Sequence, residues 1–153
     1  MAHTPVNHPL RPIYRAWSFV AGAYLVVFGI VGLIQTAGDS FTGRTGVHVF
    51  GQETNLLWSI LVLVVGAIVL GAAAIGRNLD TAADKYVGWG LLVLGSYELG
   101  ASRTDASIFG FSVATVVVTY LVGLVLITSS LYLKVAPQQA VGAPRQVREG
   151  RTA

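Results

Sequence analysis

The sequence predicts an all-α integral membrane protein, an antiparallel four-helix bundle with both termini in the cytoplasm. Three observations predict it. Only 11% of the 153 residues are charged and 54% are hydrophobic, with a mean hydropathy of +0.66. A water-soluble domain carries about 25% charged residues, so there is too little polar chain to cover a soluble core. Four apolar stretches approach the roughly 20 residues that cross a bilayer as a helix. Finally, Lys and Arg gather on one side of those stretches.

Residues 1–15 read as a cytoplasmic tail, broken by Pro5, Pro9 and Pro12. The first span covers Ala16 to Ile34 and holds no charge. Its apolar run exceeds the roughly 7–15 residues of a secretory signal, and more spans follow, so it is expected to be retained. Gln35 to Thr54 form a long, glycine-rich outer loop, and Asn55 to Ile75 form the second span. A short cytoplasmic loop at 76–85 leads into the third and shortest span, Tyr86 to Ala101, which carries one acid, Glu98. After a short loop at 102–110, Phe111 to Leu133 form the fourth span. The membrane domain thus occupies 16–134. Residues 135–153, polar and rich in Pro and Gly, read as a disordered basic tail. Short loops make successive helices antiparallel neighbours.

Orientation follows from the basic residues. Arg11, Arg15, Arg77, Lys85, Lys134, Arg145, Arg148 and Arg151 fall on one side, and only Arg44 and Arg103 on the other. Positively charged loops stay in the cytoplasm, so the chain is expected in a plasma membrane with N-terminus and C-terminus inside. Tyr14, Trp17, Tyr86, Trp89 and Tyr132 mark the inner helix ends. Phe50, Trp58, Tyr97, Phe109 and Phe111 mark the outer ends, where rings favour the headgroup zone. Arg145, Arg148 and Arg151 are candidate contacts for anionic lipid headgroups.

Each span holds two small residues seven apart: Gly22 and Gly29, Ser59 and Gly66, Gly88 and Gly95, Gly123 and Ser130. Two helical turns put each pair on one face. Lipid offers no hydrophobic drive between helices, so small faces that let backbones approach are expected to be the packing surfaces.

Little in the chain points to chemistry. With no cysteine, disulfides, thiolate metal sites and thiol nucleophiles are excluded. Gly38 to Thr45 (GDSFTGRT) nearly spells a phosphate-binding loop, but it follows a membrane span rather than a strand and has Arg44 in place of lysine. His3, His8 and His48 share no common face. No nucleotide, nucleic acid, metal or other cofactor is therefore assigned, and no catalytic residue. Glu98 is the principal functional candidate, because an ionisable group inside a membrane is a functional hypothesis by default. It is expected either to sit at the wet interface where its helix ends early, or to pair with Arg103 or His48, line a polar cavity, or relay a proton with a raised pKa. Tyr120, Thr115 and Thr119 read as a polar stripe making interhelical hydrogen bonds.

Arg15, the glycine-rich VFGIVGLI, the long loop, Thr54-Asn55-Leu56-Leu57 opening a second helix with LVVGAIVLGAAA, and the final TYLVGLVLITSSLYL form an ordered series. In this order the chain resembles a family of small four-span membrane proteins, common in actinobacteria and catalogued as a domain of unknown function. The likeness covers about residues 10–134 and implies a bacterial plasma-membrane location without assigning an activity. The expected function is non-enzymatic: helix packing with membrane-protein partners, lipids or a second copy. The alternative is a small oligomeric transporter or channel using Glu98.

Overall fold

The protein is described by a computed structural model over residues 6–136. It is helical, with α1 at Arg11–Gln35, α2 at Leu56–Ile75, α3 at Leu79–Ala101 and α4 at Val113–Tyr132. Three of these, α1, α2 and α4, are long and apolar enough to cross a membrane. Arg145, Arg148 and Arg151 lie outside the described residues, as does His3.

Two helices begin earlier than hydropathy indicates. Helix α1 starts at Arg11 rather than Ala16, with Pro12 in its first turn. A proline there removes only an N–H that has no helical partner anyway. Helix α3 starts at Leu79 rather than Tyr86, so the expected ten-residue loop shrinks to three residues. Gly76 ends α2 at φ 71°, a left-handed conformation that glycine adopts freely. Arg77 and Asn78 also take positive φ before the chain turns helical again. The first turns of α3 then contain Asp80, Asp84 and Lys85, whose charges hide the helix from a hydropathy reading. Asp80 in the first turn complements the positive end of the helix dipole.

Helices α1 and α2 pack through their small residues. A Cβ added at Gly22 would lie 2.8 Å from the Leu70 amide nitrogen, at Gly29 2.7 Å from the Leu63 Cβ, and at Gly66 2.7 Å from the Leu25 Cβ. Gly32 faces the Ser59 hydroxyl. As α1 is read forward from Gly22 to Gly32, its partners on α2 descend from Leu70 to Ser59. Helices α3 and α4 repeat the arrangement: a Cβ on Gly88 would meet the Gly123 carbonyl at 2.8 Å. Gly95 is looser, 3.7 Å from Thr119 and Tyr120. Ser130 is buried, with its hydroxyl on the Ile127 carbonyl at 2.6 Å. The two pairs join through α1 against α4 and α2 against α3. Leu25, Phe28, Val62, Val69, Leu91, Val116 and Leu126 fill the space between them.

The loop between α1 and α2 folds over the helix ends as a cap. His48–Val49 pairs antiparallel with Gln52–Glu53 across Phe50 and Gly51, both at positive φ. Positive φ at both central residues is the geometry that matches the twist of a two-residue hairpin. Val49 is buried beneath it. Asn55 accepts the Trp58 amide at 2.8 Å to cap α2, and its Nδ2 donates to the carbonyls of Gly43 and Ile108, each at 2.9 Å. One side chain thus ties the cap, α2 and the α3–α4 connection together. Gly110, at φ 62°, packs against the Gly43 carbonyl with no room for a Cβ. Trp58, Phe109 and Phe111 pack against each other inside this end, edge-on or tilted. Their ring centroids lie 4.5–5.9 Å apart.

Candidate functional site

The buried polar groups of the helices collect at two ends. The loop end lies under the hairpin, and the tail end is where Asn7 meets the chain after α4.

At the loop end stands Glu98. Its helix does not stop short of it: α3 continues to Ala101, and the carboxylate is 0% exposed. Ser107 Oγ donates to Oε2 at 2.7 Å. The amides of Ile108 and Phe109 donate to Oε1, each at 2.9 Å, and the Phe111 amide reaches Oε2 at 3.5 Å. Glu98 is therefore neither wetted nor paired with Arg103 or His48. The cause is local: after α3 the chain doubles back through Gly110, and its free amides converge on the nearest acceptor. A carboxylate accepting several backbone N–H groups replaces the solvation it lost on burial. Arg103 is exposed in the connection, and His48 is exposed in the hairpin with Nδ1 on the Gly46 carbonyl at 2.8 Å. The three expected partners do not form one site.

The near phosphate-binding loop is tied into the cap. The Gly43 amide donates to the Ile108 carbonyl at 2.7 Å, and Arg44 reaches the Ser102 carbonyl at 3.3 Å. Of the polar stripe on α4, Thr115 donates to the Glu53 carbonyl at 2.9 Å, and Tyr120 pairs with Ser96 on α3 at 2.8 Å. Tyr24 receives the Gln52 amide at 2.5 Å. Beneath these groups, a cavity of about 10 Å³ lined by Tyr24, Gln52, Trp58 and Thr119 has room for roughly one water.

The tail end holds residues that hydropathy passed over. Asp80 and Asp84, four apart, lie on the inward face of α3, and both are 0% exposed. Arg11 from α1 donates to Asp80 Oδ2 at 3.0 Å and, through Nε, to the Leu133 carbonyl at 2.9 Å. It is the one ion pair among the described residues. Arg15 caps the last turn of α2 at the carbonyls of Ala73 and Ala74, at 2.6 and 2.7 Å. Asn78 exchanges two hydrogen bonds with Val135, and Asn7 two with Ala136.

Asp84 is placed differently from Asp80. Its Oδ2 contacts Ser18 Oγ on α1, while Oδ1 has no hydrogen-bond partner, and neither does the Thr81 hydroxyl one turn below. Asp84 precedes the apolar run that opens at Tyr86. Burial pushes its carboxyl up to about 7, with the Ser18 hydrogen bond acting against the shift and the Asp80 charge adding to it.

A signal for these residues exists in the sequence. Asp80, Asp84, Gly88, Leu91, Gly95 and Glu98 are spaced by three and four and share the buried face of α3. Extending the Gly88–Gly95 face by one turn in each direction reaches Asp84 and Glu98. Among the described residues, no group of three or more His, Asp or Glu converges as metal ligands do. No family model, no curated protein and no solved structure matches the chain.

Proposed function

We propose that this chain is a four-span protein of a bacterial plasma membrane. It is built as an antiparallel four-helix bundle with both termini in the cytoplasm, and it acts without catalysis through contacts with membrane proteins or lipids. Three helices of membrane-crossing length and hydropathy support the location. The eight-to-two division of basic residues supports the orientation, and the resemblance to small actinobacterial membrane proteins supports the bacterial membrane.

The observation that carries the mode of action is where the small residues went. Gly22, Gly29, Gly66, Gly88 and Gly123 are occupied by the protein's own helix pairs. Much of the outward surface carries bulky apolar side chains, among them Trp17, Val20, Ile30, Val64, Trp89 and Leu121, with small residues such as Gly71 and Ala82 between α2 and α3. A surface of that chemistry meets acyl chains or other apolar helices. The transport reading finds no support at Glu98, because its oxygens are saturated by four donors and the central cavity has room for about one water.

Cysteine labelling tests the topology cleanly in a chain that has no native cysteine. In intact cells, a membrane-impermeant maleimide is expected to modify Thr45→Cys, and to reach Ala136→Cys only after permeabilisation. Labelling of Thr45→Cys from the cytoplasmic side alone would overturn the orientation. Purification in mild detergent then separates the modes of action. A stoichiometric membrane-protein partner or retained lipid supports the reading, and a bare homo-oligomer that conducts ions in vesicles replaces it.

A further inference from the structure

We propose that Asp84 is a proton-binding site, holding a proton between its carboxyl group and Ser18 in the folded protein. The proposal goes beyond the packing role and stands on side-chain geometry at the tail end.

Ser18 Oγ lies within hydrogen-bond reach of two acceptors, the Tyr14 carbonyl at 3.1 Å and Asp84 Oδ2. A hydroxyl has one proton to donate. Each contact becomes a full hydrogen bond when Ser18 donates to Tyr14 while Asp84 donates its own proton to Ser18 Oγ, whereas an ionised Asp84 would have to share the single Ser18 proton with the Tyr14 carbonyl. The alternative leaves an anionic carboxylate, 0% exposed, with a single donor and with Oδ1 unpartnered. A buried charge of that kind is costly unless paired.

No cation is available to pair it. Arg11 is committed to Asp80 and the Leu133 carbonyl, and Arg15 to the end of α2. Lys85, the next residue on α3, is exposed, with its Nζ 5.8 Å from the centre of the Tyr86 ring. The Arg77 and Lys134 side chains are exposed beyond the ends of α2 and α4. On the buried α4 face at this end stand Ser129, Ser130 and Leu133, which are uncharged. The Arg11–Asp80 pair cancels itself, so Asp84 is the buried acid at this end left without a cation, and a proton neutralises it without needing space.

Infrared spectroscopy of the full chain, reconstituted in phosphatidylcholine–phosphatidylglycerol vesicles, reads the proton directly. The expected result is a protonated-carboxyl C=O band that persists at pH values where ordinary aspartates are ionised. It should disappear in Asp84→Asn, survive in Asp105→Asn and shift in frequency in Ser18→Ala. Heavy-carbon labelling of aspartate should shift the band in the unmutated chain, so the assignment does not depend on the variants folding. The proposal falls if no such band exists near neutral pH, if Asp84→Asn leaves it intact, or if Na⁺ at constant pH abolishes it, since the ligand is then a metal cation.

Discussion

The carboxylate of Glu98 accepts the backbone amide of Phe109, eleven residues further along the chain, at 2.9 Å with both groups buried. With the Ser107 hydroxyl and the neighbouring amides, this bond makes an acid inside a hydrophobic protein the anchor of the α3–α4 connection. Polar satisfaction, rather than access to water, keeps Glu98 where it is.

Glu98→Gln is therefore expected to destabilise the protein. The amide substitutes an NH₂ donor for one acceptor oxygen and turns it toward N–H groups. Leaving buried donors unpaired costs about 1–3 kcal/mol. Thermal unfolding in detergent, followed by circular dichroism, measures the loss. A change within about 0.5 kcal/mol, which is what a solvated surface position tolerates, contradicts the anchor.

The glycine faces separate by position. Gly29→Ala and Gly66→Ala each push a methyl to 2.7 Å from the facing helix, and overpacking of this kind costs about 1–3 kcal/mol. Gly71 on the same helix as Gly66 has nothing within 4 Å of its Cβ position. Gly71→Ala is expected to be neutral or stabilising, since alanine favours a helix interior by roughly 0.5–1 kcal/mol. Equal effects at Gly66 and Gly71 in the same unfolding assay would contradict the α1–α2 packing.

Arg11 and Asp80 should behave as a unit. Arg11→Met leaves the Asp80 carboxylate buried without its cation and is expected to lower stability by about 1–3 kcal/mol, discounted for the partial exposure of Arg11. Adding Asp80→Leu removes the orphaned charge, and the double variant should recover most of the loss. A double-mutant cycle on unfolding temperatures measures the coupling.

Asp84 sets a pH dependence of definite sign. Its carboxyl titrates at about 7 in the folded chain and near 3.9 in an unfolded one. Because the folded value is the higher one, its contribution is complete below about pH 4. It falls as pH rises toward 7, and it is flat beyond. Asp84→Asn, a neutral isostere, should keep the fold and lose this slope. Unfolding temperatures across that interval check it, and identical slopes in both proteins would contradict it.

The three tryptophans report membrane contact. Trp17 and Trp89 are each 55% exposed on the outer surface, while Trp58 is 3% exposed against Phe109 and Phe111. Brominated lipid in reconstituted vesicles is expected to quench single-tryptophan variants retaining Trp17 or Trp89 and to spare one retaining Trp58. Strong quenching of Trp58 would mean that the cap opens in the bilayer.

By itself the sequence determined that the chain is helical and rich in membrane-length apolar segments, because hydropathy summed over some twenty residues outweighs any single side chain. It also marked the close-approach faces, since glycines seven apart must share one side of a helix. It misplaced the start of α3, because Asp80, Asp84 and Lys85 lower local hydropathy while leaving the backbone helical. Which glycine face meets which helix, and whether an acid is wetted, paired or saturated, depends on atoms distant in sequence. Glu98 meets the chain returning through Gly110, and Asp84 meets Ser18, 66 residues away. Only the tertiary structure decided those contacts, because a hydrogen bond is fixed by distance and direction, and a linear pattern encodes neither.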